Sequence, residues 1–232
     1  MFVIFAWVPQ RANDELFDAW VPLQFIGKQL AAANSKEPFT IIFLDGYRRL
    51  SNDYTARLKQ FGFNIIDFSA GAKQLGEKIQ NLKEYGQYAY FCFLRWVALN
   101  HYLKVEKIRE QVIHLDGDVV FNATPTEIRE DLRGLTFVLQ GCPALVSITN
   151  YDWLDYYEHE LIKLSRNIEG YSSKAWSERD GWEKSYRDKW AGSWQRKTFS
   201  HDQDLLSYLI HSNKIVQDRP AQFVTQLKLY YA

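Results

Sequence analysis

The chain is 232 residues long, 47% hydrophobic and 24% charged, which is enough to bury a substantial core without staples and about the size of one large α/β domain. Its 28 Lys and Arg balance 28 Asp and Glu, which excludes a protein held to nucleic acid by bulk electrostatics, because such domains carry a basic excess. The two cysteines, Cys92 and Cys142, lie in apolar stretches; they exclude a disulfide framework and read as buried thiols in a reducing compartment.

Met1–Val8 is apolar with no basic region before it, so it reads as an opening strand, Phe2–Trp7, rather than a signal peptide. Asp14–Ala33 has a helical pattern that Pro22 should interrupt. Phe39–Leu44 is a second strand, Ser51–Phe61 a helix with Ser51 as its cap, and Phe63–Phe68 a third strand. Gln87–Lys104 is a long helix; Arg95 is the one charge between Glu84 and Lys104, and the polar Gln87, Asn100 and His101 argue for a buried helix over a membrane span. Val112–Leu115 is a fourth strand. This rhythm predicts a mostly parallel sheet with helices on both faces, and such sheets bind ligands beyond the carboxyl ends of their strands. The chemistry is therefore expected after strands one, two and four. Further on, Thr136–Gln140 and Ala144–Ile148 read as strands and Tyr151–Arg166 as a helix. Gly170–Lys197 is crowded with aromatic residues, Asp202–His211 is a short helix, and Lys214–Ala232 is a strand or two with an exposed tail. Without linker, repeat or low-complexity segment, residues 1–232 read as one domain. The expected location is the cytoplasm, with association at the inner face of a membrane left open.

Three features carry chemistry. Asp116-Gly-Asp118 closes the fourth strand, either as a polar turn that ends it or as a pair of ligands. Side chains two apart on a strand share a face, roughly 6–7 Å apart, and paired carboxylate oxygens suit Mn²⁺ or Mg²⁺. Gly117 would let a ligand approach the backbone, and His114 shares the strand face, as a core residue or a further ligand. An EF-hand starting at Asp116 fails, because position six is Phe121 and position five Val120. Arg95, on one helical row with Tyr88, Cys92, Leu99 and Tyr102, needs an anionic partner if buried: a structural carboxylate, a phosphate or the Asp116/Asp118 pair. Ser200-His-Asp-Gln203 has the form of a capping box, and Asp202 and Asp204 suit the start of a helix; carboxylates and an amide there could equally face a sugar.

Tyr90-Phe-Cys-Phe-Leu-Arg-Trp96, Val112-Ile-His-Leu-Asp-Gly-Asp-Val-Val120 and His201-Asp-Gln-Asp-Leu-Leu206, in this order, resemble glycosyltransferases of the GT-A fold, closest to family 8-like enzymes. The resemblance covers roughly residues 1 to 212. It implies a Rossmann-like αβα sandwich of three layers with a mostly parallel central sheet and a DxD motif, a donor half over 1–121 and an acceptor half over 122–232. It implies a nucleotide-diphosphate sugar as donor and a saccharide or lipid-linked saccharide as acceptor. Arg95 would then reach the donor sugar or its phosphates. Asp116 and Asp118 would hold the metal, with Asp116 also near the ribose, and Asp202 and Gln203 would lie beside the reacting sugar carbon. The late histidine motif of family 8 has no counterpart after Asp204, where only His211 follows, so His201 or water would complete the metal site. By position after strands one and two, Trp7 and Asp45 would contact base and ribose, and Trp182, Trp190 and Trp194 would form an acceptor wall of aromatic faces. The competing classes are a non-catalytic carbohydrate-binding protein on the same fold and a metal-dependent phosphohydrolase. A sugar-nucleotide-forming transferase would open with a Gly-rich loop, which Trp7-Val-Pro-Gln-Arg11 is not.

Overall fold

The computed structural model describes residues 1–138, 143–178, 199–216, 218 and 230–231. Strands β1 (Phe2–Trp7), β2 (Phe39–Asp45), β3 (Phe63–Asp67) and β4 (Val112–Leu115) lie parallel; β7 (Leu145–Ile148) runs antiparallel to β4, and β6 (Phe137–Val138) antiparallel to β7. The order across this mixed, mostly parallel sheet is β3-β2-β1-β4-β7-β6. The chain thus winds outward from β1 through β2 to β3, then returns to lay β4 on the other side of β1. That reversal opens a crevice at the carboxyl ends of β1 and β4, where open α/β sheets bind ligands.

Both faces of the sheet are covered, which explains the near-continuous apolar runs of its strands. In β1, Phe2, Ile4 and Ala6 face one side, while Val3 and Phe5 face the other. The first side packs against α1 (Asp14–Trp20), α2 (Leu23–Ala32), α3 (Asn52–Gln60) and α6 (Pro125–Asp131). The second side packs against α4 (Ser69–Gly76), α5 (Gln87–Val105), α7 (Asp152–Arg166), α8 (Ile168–Ser177) and α9 (Asp202–His211). Thirteen of the 19 residues of α5 are buried; a helix apolar all round must lie inside the protein, and α5 lies between the sheet and α7. No helix among the described residues is long and apolar enough to cross a membrane.

Local chemistry sets the boundaries. Pro22 cannot continue a helix, and the chain breaks there into α1 and α2, as its sequence predicts. Ser51 caps α3, its hydroxyl accepting from the Tyr54 amide at 3.0 Å. Several elements go beyond the sequence expectation: the 3₁₀ turns at Tyr47–Arg49 and Glu77–Tyr85, the helices α4, α6 and α8, and the short strand β5 (Val119–Val120). Within Lys214–Ala232, where a strand or two is expected, Tyr230–Tyr231 form a strand, β8, paired antiparallel with β5. Of the expected strand Thr136–Gln140, residues 139–140 lie outside the described residues, as does Cys142.

Candidate functional site

A cavity of about 450 Å³ opens at the β1/β4 crevice. Trp7 enters it from the end of β1, Asp116, Gly117 and Asp118 from the turn after β4, Arg95 and Cys92 from α5, and His201, Asp202 and Gln203 from the start of α9. Segments far apart in sequence meet here because α5 and α9 pack on the same face of the sheet.

Arg95 is the hub, 6% exposed. Its Nε and Nη2 each lie 2.6 Å from Asp202 Oδ2, and its Nη1 donates to Asp116 Oδ1 at 2.6 Å. The Trp96 indole donates to the same Asp202 Oδ2 at 2.7 Å. Of the partners foreseen for Arg95, the structure thus supplies two carboxylates, each drawn onto one guanidinium fork. Burial works against the charge, but Asp202 and Asp116 outweigh it and hold the guanidinium protonated. Asp116 is held down to about 2: burial, the largest single influence, would raise it, and Arg95 and His114 together outweigh it.

His114 is fully buried beneath this pair. Its Nδ1 lies 3.1 Å from the Val3 carbonyl, which can only accept, so Nδ1 carries the proton. Burial lowers its pKa, and its Nε2 lies 3.2 Å from Asp116 Oδ1 and a longer 3.5 Å from Arg95 Nη1. His114 is therefore a buried residue in contact with both members of the Arg95–Asp116 pair.

The two aspartates of Asp-Gly-Asp differ. The strand ends at Leu115, as expected, and residues 116–118 form a turn in which the Val119 amide donates to the Asp116 carbonyl at 3.3 Å, so the shared strand face does not extend to the two aspartates. Asp116 turns inward to Arg95, while Asp118 is exposed, with no ion pair among the described residues. Burial and the neighbouring negative charge of Asp116 raise the Asp118 pKa. Gly117 is needed for a different close approach than expected: a Cβ there would lie 2.3 Å from Val21 Cγ1, so it is the end of α1, not a ligand, that presses on this backbone.

The start of α9 is also rearranged. The Ser-x-x-Gln box is replaced by one in which Asp204 takes the Ser200 amide and hydroxyl, both at 2.7 Å, and the His201 amide at 3.4 Å. The helix begins one residue later than that box requires, at Asp202, and Gln203 is left to face the cavity. Asp202 itself is 1% exposed with Oδ2 occupied by three donors; this geometry suits a residue that orients Arg95 more than one that meets an acceptor proton.

Asp45 does not join this cavity. Although the sheet register pairs Asp45 with Trp7, its carboxylate pairs with Arg49 at 3.2 Å and lines a neighbouring hollow. His201 lines the cavity, yet among the described residues no group of three or more His, Cys, Asp or Glu side chains is gathered to hold a metal ion. Trp182, Trp190 and Trp194 lie outside the described residues. Sequence reasoning missed Trp20 and named Tyr88 only through its helical row with Arg95. Both are exposed aromatics on the cavity wall, and the Tyr88 ring stands edge-on to Trp7 at 5.7 Å. Cys92 lies on the same wall, and burial pushes its thiol up to about 12.

No protein-family model matches the chain, and no curated protein is similar to it.

Proposed function

We propose that the protein is a glycosyltransferase of the GT-A fold, family 8-like, moving a sugar from a nucleotide-diphosphate sugar to an acceptor hydroxyl. The observation that carries this reading is the Arg95 bridge. The three short segments that resemble the family are separated by up to 107 residues, yet one guanidinium joins all three, at the switch point of the sheet. A structural ion pair elsewhere in the fold would not have gathered Asp118, His201 and Gln203 around the same cavity.

The donor set fits a divalent cation in its charge. Asp116, Asp118 and Asp202 oppose one guanidinium and a neutral imidazole, and Asp118 has no cationic partner among the described residues. Held by Asp118 and the second oxygen of Asp116, Mn²⁺ or Mg²⁺ would supply the positive charge against which a diphosphate departs. Arg95 fixes Asp116 for that task and is itself neutralised, so its part is to position carboxylates and not to grip phosphate. Gln203, on the open first turn of α9, would touch the donor sugar. Trp7, Trp20 and Tyr88 offer flat apolar faces suited to a base or a sugar ring.

The test is thermal unfolding with UDP, GDP and CMP, each with and without Mn²⁺, for the wild type and Asp118→Ala. A ligand at a hundred times its Kd stabilises by about 2.7 kcal/mol. The expected outcome is a shift with one nucleotide that depends on Mn²⁺ and disappears in the variant, followed by turnover of the matching sugar nucleotide. Binding without turnover would leave a carbohydrate-binding protein on this fold; no shift with any nucleotide would overturn the donor site.

A further inference from the structure

Across one turn of α5 lies a second cavity, of about 640 Å³, which the reading above does not use. Its floor is apolar: Leu44 at the end of β2, Ala72 of α4, and Tyr90, Phe91 and Leu94 of α5. Its rim carries Lys73 and Lys83, neither of which has a carboxylate partner among the described residues; Lys83 Nζ lies 5.4 Å from the centroid of the Tyr90 ring. The one carboxylate of the rim, Asp45, is already paired with Arg49. The two cavities therefore have opposite electrostatic needs. The first has an excess of carboxylates and lacks a cation. The second has two ammonium groups over an aromatic floor and, among the described residues, no carboxylate paired with either of them. A volume of this size, lined by apolar side chains with a few convergent charged groups, is the usual form of a small-molecule site.

We propose that this second cavity binds a small organic anion: an apolar or aromatic body seated on Tyr90, Phe91 and Leu94, with a phosphate, sulfonate or carboxylate at the rim formed by Lys73 and Lys83. The occupant is distinct from the nucleotide sugar, whose diphosphate needs the cation-binding carboxylates of the first cavity. The two sites share a wall. Gln87 lines both, and the Phe91 ring stacks on Trp7 with centroids 5.3 Å apart.

The probe is 8-anilinonaphthalene-1-sulfonate, titrated by fluorescence against the full chain without metal or nucleotide, so that failure of the donor-site reading does not affect the result. One saturable site is expected, weakened by added salt. The double variant Lys73→Gln/Lys83→Gln should lose tenfold or more in affinity. The charge-matched Lys28→Gln/Lys59→Gln, at exposed positions elsewhere, should bind as the wild type. Ala70→Glu, which sets a like charge on the exposed rim, should weaken the probe without touching the lysines; melting curves show that each variant is folded. Unchanged affinity in the Lys73/Lys83 variant would overturn the proposal. So would stoichiometric displacement of the probe by a nucleotide with Mn²⁺, since the probe would then occupy the first cavity.

Discussion

The Arg95 guanidinium carries one charge and satisfies two carboxylates, one of them 1% exposed. Removing it strands both, and breaking a buried pair from one side costs about 3–5 kcal/mol. Arg95→Gln is expected to lose stability on that scale in urea unfolding at pH 7. The pH dependence separates the pair from general damage. Asp116 titrates near 2 in the fold and near 3.9 when unfolded. A depressed carboxylate stabilises above its unfolded pKa and loses that contribution as pH falls through its folded pKa, here about 2 kcal/mol lost between about pH 4 and 2. Asp118, raised by burial and by Asp116, works in the opposite direction. In Arg95→Gln the Asp116 step should vanish; a variant that keeps the wild-type acid profile would show that Arg95 is not what holds Asp116 ionised. The sequence makes the need for a partner legible, because a lone charge inside an apolar helix has few alternatives. Which partner is not legible: Asp202 is 107 residues away, and only the packing of α9 on α5 brings it within reach.

Among elements, those with strong local signals lie where the sequence puts them. The Pro22 break, the Ser51 cap and the largely apolar α5 are examples. The α6 start is a signal of the same strength left unread: Thr124-Pro-Thr-Glu127 forms a full capping box with proline in the first turn. The Asp116–Asp118 segment takes the form of the polar turn closing the strand, one of its two sequence readings. Residues two apart share a face only while the strand lasts, and β4 stops at Leu115, ahead of the turn in which Val21 packs close to Gly117. That contact is testable. Gly117→Ala forces Val21 Cγ1 away from a Cβ only 2.3 Å off, an overpacking cost of about 1–3 kcal/mol. Adding Val21→Ala removes the clashing atom, so the double variant should regain most of the loss. If the two losses simply add, some other contact demands the glycine.

Over the whole molecule, the sheet and α5 form the part least able to open on its own. Strands β1 and β2 together with α5 supply half of the largest fully buried side chains, among them Trp96, Phe93, Phe2 and Phe43, while α1 buries only Phe17. Native-state hydrogen exchange should find α5 and β1–β2 amides exchanging only through global unfolding, and α1 amides through local opening at a fraction of that free energy. Equal protection in α1 and α5 would contradict this ranking. The parallel core was foreseeable from the alternation of apolar runs with helical patterns. The antiparallel β7 and β6 were not, because periodicity gives a strand's faces but not its direction. The Arg95 bridge also imposes an order on synthesis. A ribosome that has just delivered β4 has made the guanidinium and Asp116, but Asp202 is still more than eighty residues from being translated. Until it arrives, the Arg95 Nε and Nη2 and the Trp96 indole lack the Asp202 oxygen that accepts from them, and burying α5 would leave these donors unsatisfied. The last buried hydrogen bonds of the central helix are thus made only when α9 joins it, and the same contact completes the candidate site.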